Sequence, residues 1–461
     1  MKSQDLKKAI EELIARFGNQ ISTNLQIRDQ HGRDESFHEG KAPDAVFFPS
    51  SAEEVREAVL VCSKFRIPII PFGAGTSLEG HVAALQGGVT FDMSEMNEVL
   101  SVNDSDLDCV VEAGVTRQQL NSYLRDTGLF FPVDPGAEAT FGGMCATGAS
   151  GTNSVRYGTI RENVLGLTCV LVNGDIVRTG GRARKSSAGY DLTRLMLGSE
   201  GTLGIITEIN LRLHGIPEAI SVATCSFNRL EAAVNVVIAT IQLGIPVARI
   251  ELLDEVQIKA CNRYSNLSLL ESPTLFLEFH GSEMSVAEQA EQFGDIANEH
   301  GRARFDWAVK EEDRKRLWKA RHDVLYAALN LRPGAKGLIT DVCVPISKLA
   351  ECIIETKTDI AHLGLQAPLV GHVGDGNFHL AILIDPNKPT ELAQAEGLNE
   401  KLIARALEMG GTCTGEHGIG IGKIKHLKNE HGSALDAMCA IKKALDPHGL
   451  MNPGKVLHID S

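Results

Sequence analysis

The period of apolar and polar positions changes several times along the chain, and each change marks an element. "MKSQDLKKAIEELIARFG" places apolar residues every three or four positions, the spacing of an amphipathic helix. From about Ala42 the pattern tightens: "AVFFP" reads as a strand, "SSAEEVREAVLVCSKF" as a helix, and "IPIIPF" as a buried strand running into the loop "GAGTSLEG". Ser51 at the head of that helix, with Glu54 three residues on, predicts a capping box. Glycine then becomes dense in "DPGAEATFGGMCATGASGTNSVRYG" and, after the hairpin "VLVNGDIV", in "MLGSEGTLGIITEINLRL". Past Pro217 strands and helices alternate. "SVATCSF", "TLFLEFHG" and "GLITDVCVPI" read as strands, and "EAAVNVVIATIQLG", "EMSVAEQAEQFGDIANEHG" and "SKLAECIIETKTDIAHLG" as amphipathic helices. The chain closes on "CAIKKALDPHGLMNPGKVL", a helix followed by Pro/Gly turns. The expected organisation is a helical segment over 1–41, a first domain over 42–216, an α+β substrate domain over 217–446 and a segment over 447–461 returning to the first domain.

Composition narrows the class. A chain of 461 residues exceeds a single core. A formal charge of -14 disfavours sequence-independent binding to nucleic acid or to an anionic lipid surface. No apolar run is long enough for a membrane span. The ten cysteines are scattered without a C-x-x-C, which argues against a disulfide framework, an iron–sulfur site or an attached haem. A reduced, cytoplasmic protein is expected, with peripheral contact to the inner membrane left open and the oligomeric state, homodimer included, unreadable.

The glycines carry the first chemical hint. "GAGTSLEG" is neither the dinucleotide fingerprint nor a P-loop, and alone it is as well explained by a tight turn. With "PGAEATFGGMCATGASGTN" and "GSEGTLGI" it becomes one of three backbone cradles, enough to follow a long anionic ligand such as a flavin dinucleotide.

These stretches, with "PIIPFGAGTSLEG" and "DPGAEATFGGMCATGASGTNSVRYGTIRENVLGL", resemble the FAD-binding domain of the vanillyl-alcohol oxidase and para-cresol methylhydroxylase type. "RHDVLYAALNLRPG", "TDVCVPIS", "GHVGDGNFH", "GTCTGEHGIGIGK" and "LDPHGLMNPGKVL" resemble its cytochrome-dependent D-lactate dehydrogenase branch, close to glycolate oxidase flavoprotein subunits and D-2-hydroxyglutarate dehydrogenases. The resemblance runs from about residue 42 to the C-terminus. It implies an α+β fold, a two-part FAD-binding domain plus an α+β cap with an antiparallel sheet. It also implies FAD, a divalent metal, oxidation of a D-2-hydroxy acid, and a separate electron acceptor such as a cytochrome, a quinone or an electron-transfer protein. The implied flavin contacts are Pro71, Gly73, Ala74, Gly75, Thr76, Ser77 and Gly80 in the first loop. The second stretch gives Pro135, Gly136, Ala137, Thr140, Gly142, Gly143, Ala146, Gly148, Ala149, Gly151, Tyr157 and Gly158. The last give Glu200, Gly201, Gly204, Ile205, Ile206 and Asn452. His81 does not match the positions associated with covalent attachment, so FAD is expected to be non-covalent.

The metal is expected at "GHVGDGNFH". If Asp375-Gly376 is a two-residue type I′ hairpin loop, His372 and His379 are direct cross-strand partners. A lone histidine pair of this kind is more often inert. Glu416 in "GEHGIG" changes the balance, because two histidines and one carboxylate suit Zn, Mn or Fe with positions open for substrate. In a locally extended segment His417 points the other way and serves as general base. Arg321 is the family-matched bidentate partner of the substrate carboxylate, with Arg332 a second whose rival reading is an ordinary salt bridge. Ile339 and Ala381 stand where, in the hydroxyglutarate enzymes, a Lys and an Asn are found, which points to a substrate without a second carboxylate, such as D-lactate. The rival from another class is a non-catalytic FAD-binding subunit of a larger flavoprotein.

Overall fold

The computed structural model describes residues 3–308 and 310–458. It separates into two compact units, Met1–Ser150 with Thr159–Ile216 and Glu416–Ser461, and Gly151–Gly158 with Pro217–Gly415.

In the first unit, helix α1 (Ser3–Phe17) buries Ala9 and Leu13. A four-stranded sheet follows, built from β1 (Ile21–Ser22), β2 (Ala45–Phe47), β3 (Ile69–Phe72) and β4 (Val89–Asp92) in the order β1-β2-β4-β3. β2 and β3 both run parallel to β4. Between them α2 (Ala52–Phe65) turns Val55, Ala58, Val59 and Cys62 inward, one stripe of the 3.6-residue period. Its cap differs from the expected box. Ser51 accepts from the Glu54 amide at 3.3 Å, but the Glu54 carboxylate reaches the amide of Ser50 (2.7 Å) and Gln20 Nε2 (2.8 Å) instead of Ser51. Gln20 lies in the turn leading into β1, so a tertiary partner takes the carboxylate that the local motif would have used. A second, antiparallel sheet has the order β5-β6-β9-β7-β8, where β5 is Val99–Asn103, β6 Asp108–Glu112, β7 Val164–Val170, β8 Ile176–Gly180 and β9 Ile205–Arg212. One apolar core runs through the unit from Ala9 to Leu450 and Met451.

The second unit is an antiparallel sheet of eight strands. They are β10 (Ala219–Phe227), β11 (Val247–Leu253), β12 (Thr274–Gly281), β13 (Arg302–Ala308), β14 (Lys336–Ile339), β15 (Val342–Cys343), β16 (Leu369–Gly371) and β17 (Asn377–Ile384). The order is β13-β10-β12-β11-β16-β17-β14, with β15 also on β17. The helices Leu230–Gln242, Glu283–Glu299 and Leu349–Leu363 fall where their periodicity predicts them. "GLITDVCVPI" is two strands rather than one. At the break the Thr340 hydroxyl, not its carbonyl, accepts from the Leu380 amide (3.0 Å), which releases the Thr340 carbonyl for another donor.

The units divide the chain elsewhere than the expected boundaries. Residues 416–446, expected with the substrate domain, group with the first unit, since the amides of Ile419 and Gly420 donate to Glu200 and that of Ile421 to the Glu79 carbonyl. Residues 151–158, expected in the first domain, group with the second, where Asn153 Oδ1 accepts from Arg249 Nε (3.0 Å) and the Tyr157 hydroxyl lies 2.7 Å from His280 Nδ1.

Candidate active site

In the first unit the three glycine loops meet. Helix α3 (Phe141–Thr147) is capped by the Thr140 hydroxyl, and a side chain at Gly73 would collide with that hydroxyl. A Cβ on Gly201 would come within 2.6 Å of the Pro71 ring. The amides of Glu200 and Gly198 donate to the carbonyls of Ala146 (2.8 Å) and Cys145 (2.9 Å). Bare backbone is therefore what lets loops 71–80, 135–150 and 198–206 share one cradle. Gly136 and Gly198 have no atom within 4 Å of where a side chain would start, so the cradle has open backbone against which a dinucleotide can lie. These residues fit FAD.

Several of the expected flavin contacts also hold the protein together. The buried Glu200 carboxylate accepts from the amides of Ile419 (2.6 Å) and Gly420 (2.8 Å) and lies 3.1 Å from His81 Nε2. Asn452 Nδ2 donates to the carbonyls of Glu200 (2.7 Å) and His81 (3.2 Å). Gly204 packs on the Val170 carbonyl and Met196. Burial pushes the His81 imidazole down, but the neighbouring Glu200 carboxylate outweighs it and raises the pKa. The side chain of Glu200 thus braces the segment that follows Glu416, and that of Asn452 holds the backbones of Glu200 and His81. Gly151, Tyr157 and Gly158 belong to the second unit.

The histidine pair lies in the second unit, by a different route than the one expected. His379 on β17 pairs with Val370, not with His372. Residues 373–375 form a 3-10 turn closed by the Asp375 and Asn377 amides on the His372 carbonyl, and only Gly376 (φ 82°) is left-handed. A type I′ loop needs positive φ at both central residues. Asp375 does not supply it, so His372 leaves the ladder and enters the turn. The rings still face each other, centroids 5.7 Å apart and nearly perpendicular, with one ligand nitrogen of each within 4.8 Å of the other's. Both are buried, and both are held through Nδ1. His379 Nδ1 lies 3.0 Å from the Thr340 carbonyl freed by the strand break, and His372 Nδ1 lies 2.9 Å from Glu251 Oε1.

Arg321 is buried, yet its Nε and Nη2 both donate to Glu251 Oε2, at 2.9 and 2.5 Å. That engages the Nε side of the guanidinium and leaves its Nη1/Nη2 end, with the remaining N–H donors, as the face that can meet a substrate carboxylate. Arg332 gives its fork to Glu391 (2.7 and 3.1 Å), so here the salt-bridge reading holds. Two residues escaped notice in the sequence. Glu251 sits inside the apolar strand "VARIELL", and that misplaced charge was the available signal. Asp341, fully buried, accepts from Asn377 Nδ2 (2.8 Å), the Thr414 hydroxyl (2.6 Å) and the Gly415 amide (2.8 Å). It thereby anchors the residue immediately before Glu416.

Glu416 and His417 begin the last segment of the first unit. Gly415 to His417 lie in a bend, so the strand alternation expected to separate the two side chains does not apply. Glu416 Oε2 accepts from the Ser150 hydroxyl at 2.5 Å. Downstream, burial pushes the Glu79 carboxyl up, but Lys423 at 3.1 Å, with His38 and His417, brings it below its usual value.

Residues 216–456 match the C-terminal domain of FAD linked oxidases, and residues 43–180 match a FAD binding domain. The chain is 54% identical to the probable mitochondrial D-lactate dehydrogenase of Danio rerio, over 98% of this chain and 93% of that one. It is 48% identical to the mitochondrial D-lactate dehydrogenase (cytochrome) of Arabidopsis thaliana, over 98% and 80% respectively. Among solved structures, p-cresol methylhydroxylase with substrate bound superimposes with a TM-score of 0.80 at 17% identity, covering 99% of this chain and 97% of that one, which shows a shared fold. With the glycine cradle in place and both family domains spanned, the chain is a FAD-dependent oxidoreductase belonging to the FAD-linked oxidase family.

Proposed function

We propose that the protein oxidises D-lactate, or a related monocarboxylic D-2-hydroxy acid, to the 2-oxo acid, and passes the electrons to a separate acceptor such as a cytochrome. The observation that carries this reading is the buried histidine pair, each ring held through Nδ1 so that Nε2 is the nitrogen it can offer an ion. We assign a divalent ion, Zn, Mn or Fe, to His372, His379 and Glu416. Gly415, tied to Asp341, brings the chain to Glu416 one residue later. Such an ion would supply Lewis acidity toward the substrate hydroxyl. FAD when bound supplies the two-electron acceptor.

The chain's own residues divide the remaining work. His417 takes the hydroxyl proton. Arg321 offers the substrate carboxylate its Nη1/Nη2 end, its Nε side being engaged by Glu251. Ile339 and Ala381 are direct partners across β14 and β17, and Ala381 lies on the same strand face as His379. An apolar pair there suits a methyl side chain better than a second carboxylate. The names of both relatives carry D-lactate dehydrogenase and agree with this; both also carry mitochondrial, so the cytoplasmic compartment expected from composition is not part of the proposal. Among the described residues no helix is long and apolar enough to cross a membrane.

Anaerobic mixing of the FAD-loaded protein with D-lactate, L-lactate, glycolate and D-2-hydroxyglutarate tests the reading. D-lactate is expected to bleach the flavin fastest, and His417→Ala to slow that bleaching at least about a hundredfold. A faster response to glycolate or D-2-hydroxyglutarate would overturn the substrate, and no response to any acid would leave a non-catalytic FAD-binding subunit.

A further inference from the structure

Glu251 stands at the centre of β11 between Ile250 and Leu252, and only 1% of it is exposed. A carboxylate so placed is tolerated only if both oxygens are engaged. Here the engagement is divided. Oε2 receives two donors from Arg321, and Oε1 faces His372 Nδ1 at 2.9 Å. Because a carboxylate only accepts, His372 carries a proton on Nδ1, and in the neutral ring the lone pair is then on Nε2. His379 reaches the same tautomer through a neutral carbonyl, that of Thr340. The two rings therefore differ: His372 is hydrogen-bonded directly to a carboxylate, whereas His379 is hydrogen-bonded to a carbonyl and has the Asp341 carboxylate farther off, at 3.6 Å.

We propose that Glu251 is the positioning residue of the metal site, setting the orientation and tautomer of His372, while Arg321 acts as the counter-charge that lets a carboxylate remain buried there. This rests on the metal reading above. It makes Arg321 first a partner of Glu251, and it predicts an unusual response to substitution. In Glu251→Gln the amide offers one oxygen and one NH2. Arg321, which can only donate, captures the oxygen, and His372 Nδ1 is left facing a donor. The imidazole proton then moves to Nε2 and blocks coordination. In the double variant Glu251→Gln, Arg321→Met nothing competes for the amide oxygen, so it can turn to His372 and restore the native tautomer without an unpaired buried cation.

The test is Zn(II) affinity of the full-length, FAD-loaded protein, measured by competition with a chromogenic chelator, together with nitrogen NMR of the histidine tautomers. Glu251→Gln is expected to weaken Zn(II) by about tenfold to a hundredfold with the flavin retained, and the double variant to recover most of that loss. If the wild type takes up no Zn(II), the metal reading itself fails. If the wild type binds and Glu251→Gln binds equally well, the metal reading stands and the role of Glu251 is wrong. Should Glu251→Gln fail to fold, the double variant decides: near-native affinity with Nε2 unprotonated supports the proposal, and an affinity as low as that of His372→Ala overturns it.

Discussion

Lys455 shows how a buried cation records its surroundings. Its Nζ donates to the Ala83 carbonyl (2.6 Å) and to Asn452 Oδ1 (3.1 Å), and 2% of the residue is exposed. Burial moves its pKa from 10.5 down to about 8, although Glu200 and Asp34 pull it upward. Between those two values the unfolded chain binds the proton that the folded one has released, so stability must rise with pH across that window. Relative to Lys455→Met, the wild type should gain about 3 kcal/mol between pH 8 and pH 10.5, read from denaturant unfolding at a series of pH values. A gap that stays constant through the window would show that the ammonium is not desolvated. Ile339 and Ala381 give a second prediction on the same scale. Ile339→Lys with Ala381→Asn should lower kcat/KM for D-lactate at least about tenfold and raise it for D-2-hydroxyglutarate, as binding groups for a second carboxylate are added. Loss on both substrates would argue that the pair only packs.

At the scale of elements, the turn 372–376 decides where the histidines go. Gly376 is left-handed (φ 82°), and a side chain there would strike the Val344 carbonyl. Gly376→Ala should cost more than about 1–2 kcal/mol locally and loosen Zn(II) while leaving the flavin spectrum unchanged, because the glycine cradle belongs to the other unit. Simultaneous loss of flavin would show that the turn supports more than the histidines. This turn also shows what the sequence could and could not specify. The strands and helices around it followed from periodicity, and the glycine loops announced a backbone cradle. The register of β16 on β17 did not follow, because it depends on which of Asp375 and Gly376 adopts positive φ. The same limit applies to Glu54, whose local partner Ser51 lost to Ser50 and Gln20, and to Arg321, whose partner Glu251 lies seventy residues away. Pairings set by tertiary proximity leave little trace in spacing. What Glu251 did leave was a charge in an apolar strand, legible once buried carboxylates are assumed to have partners.

For the whole molecule the governing quantity is charge. With 59 acidic and 45 basic side chains the protein carries a formal charge of -14, and its ten cysteines lack the spacing of a second redox centre. In the proposed reaction the electrons pass to a separate acceptor, and the encounter takes place in a net negative field. Long-range attraction raises association rates at low salt and is screened within about 10 Å at 0.1 M ionic strength, whereas repulsion does the reverse. The sign of the salt effect on reoxidation should therefore follow the charge of the acceptor. With D-lactate saturating, the second-order rate for hexaammineruthenium(III), a trication, should fall as ionic strength rises from 0.01 to 0.3 M, by roughly tenfold if steering is at the lower end of its usual range. For ferricyanide, a trianion, it should rise over the same interval. A fall for ferricyanide with a rise for hexaammineruthenium would mean that electrons exit through a local basic patch, and a fall for both that salt acts on the flavin site itself. The expected pair of signs, a fall for the trication and a rise for the trianion, would show that electrons leave through a negative field, which favours an acceptor with a positive face.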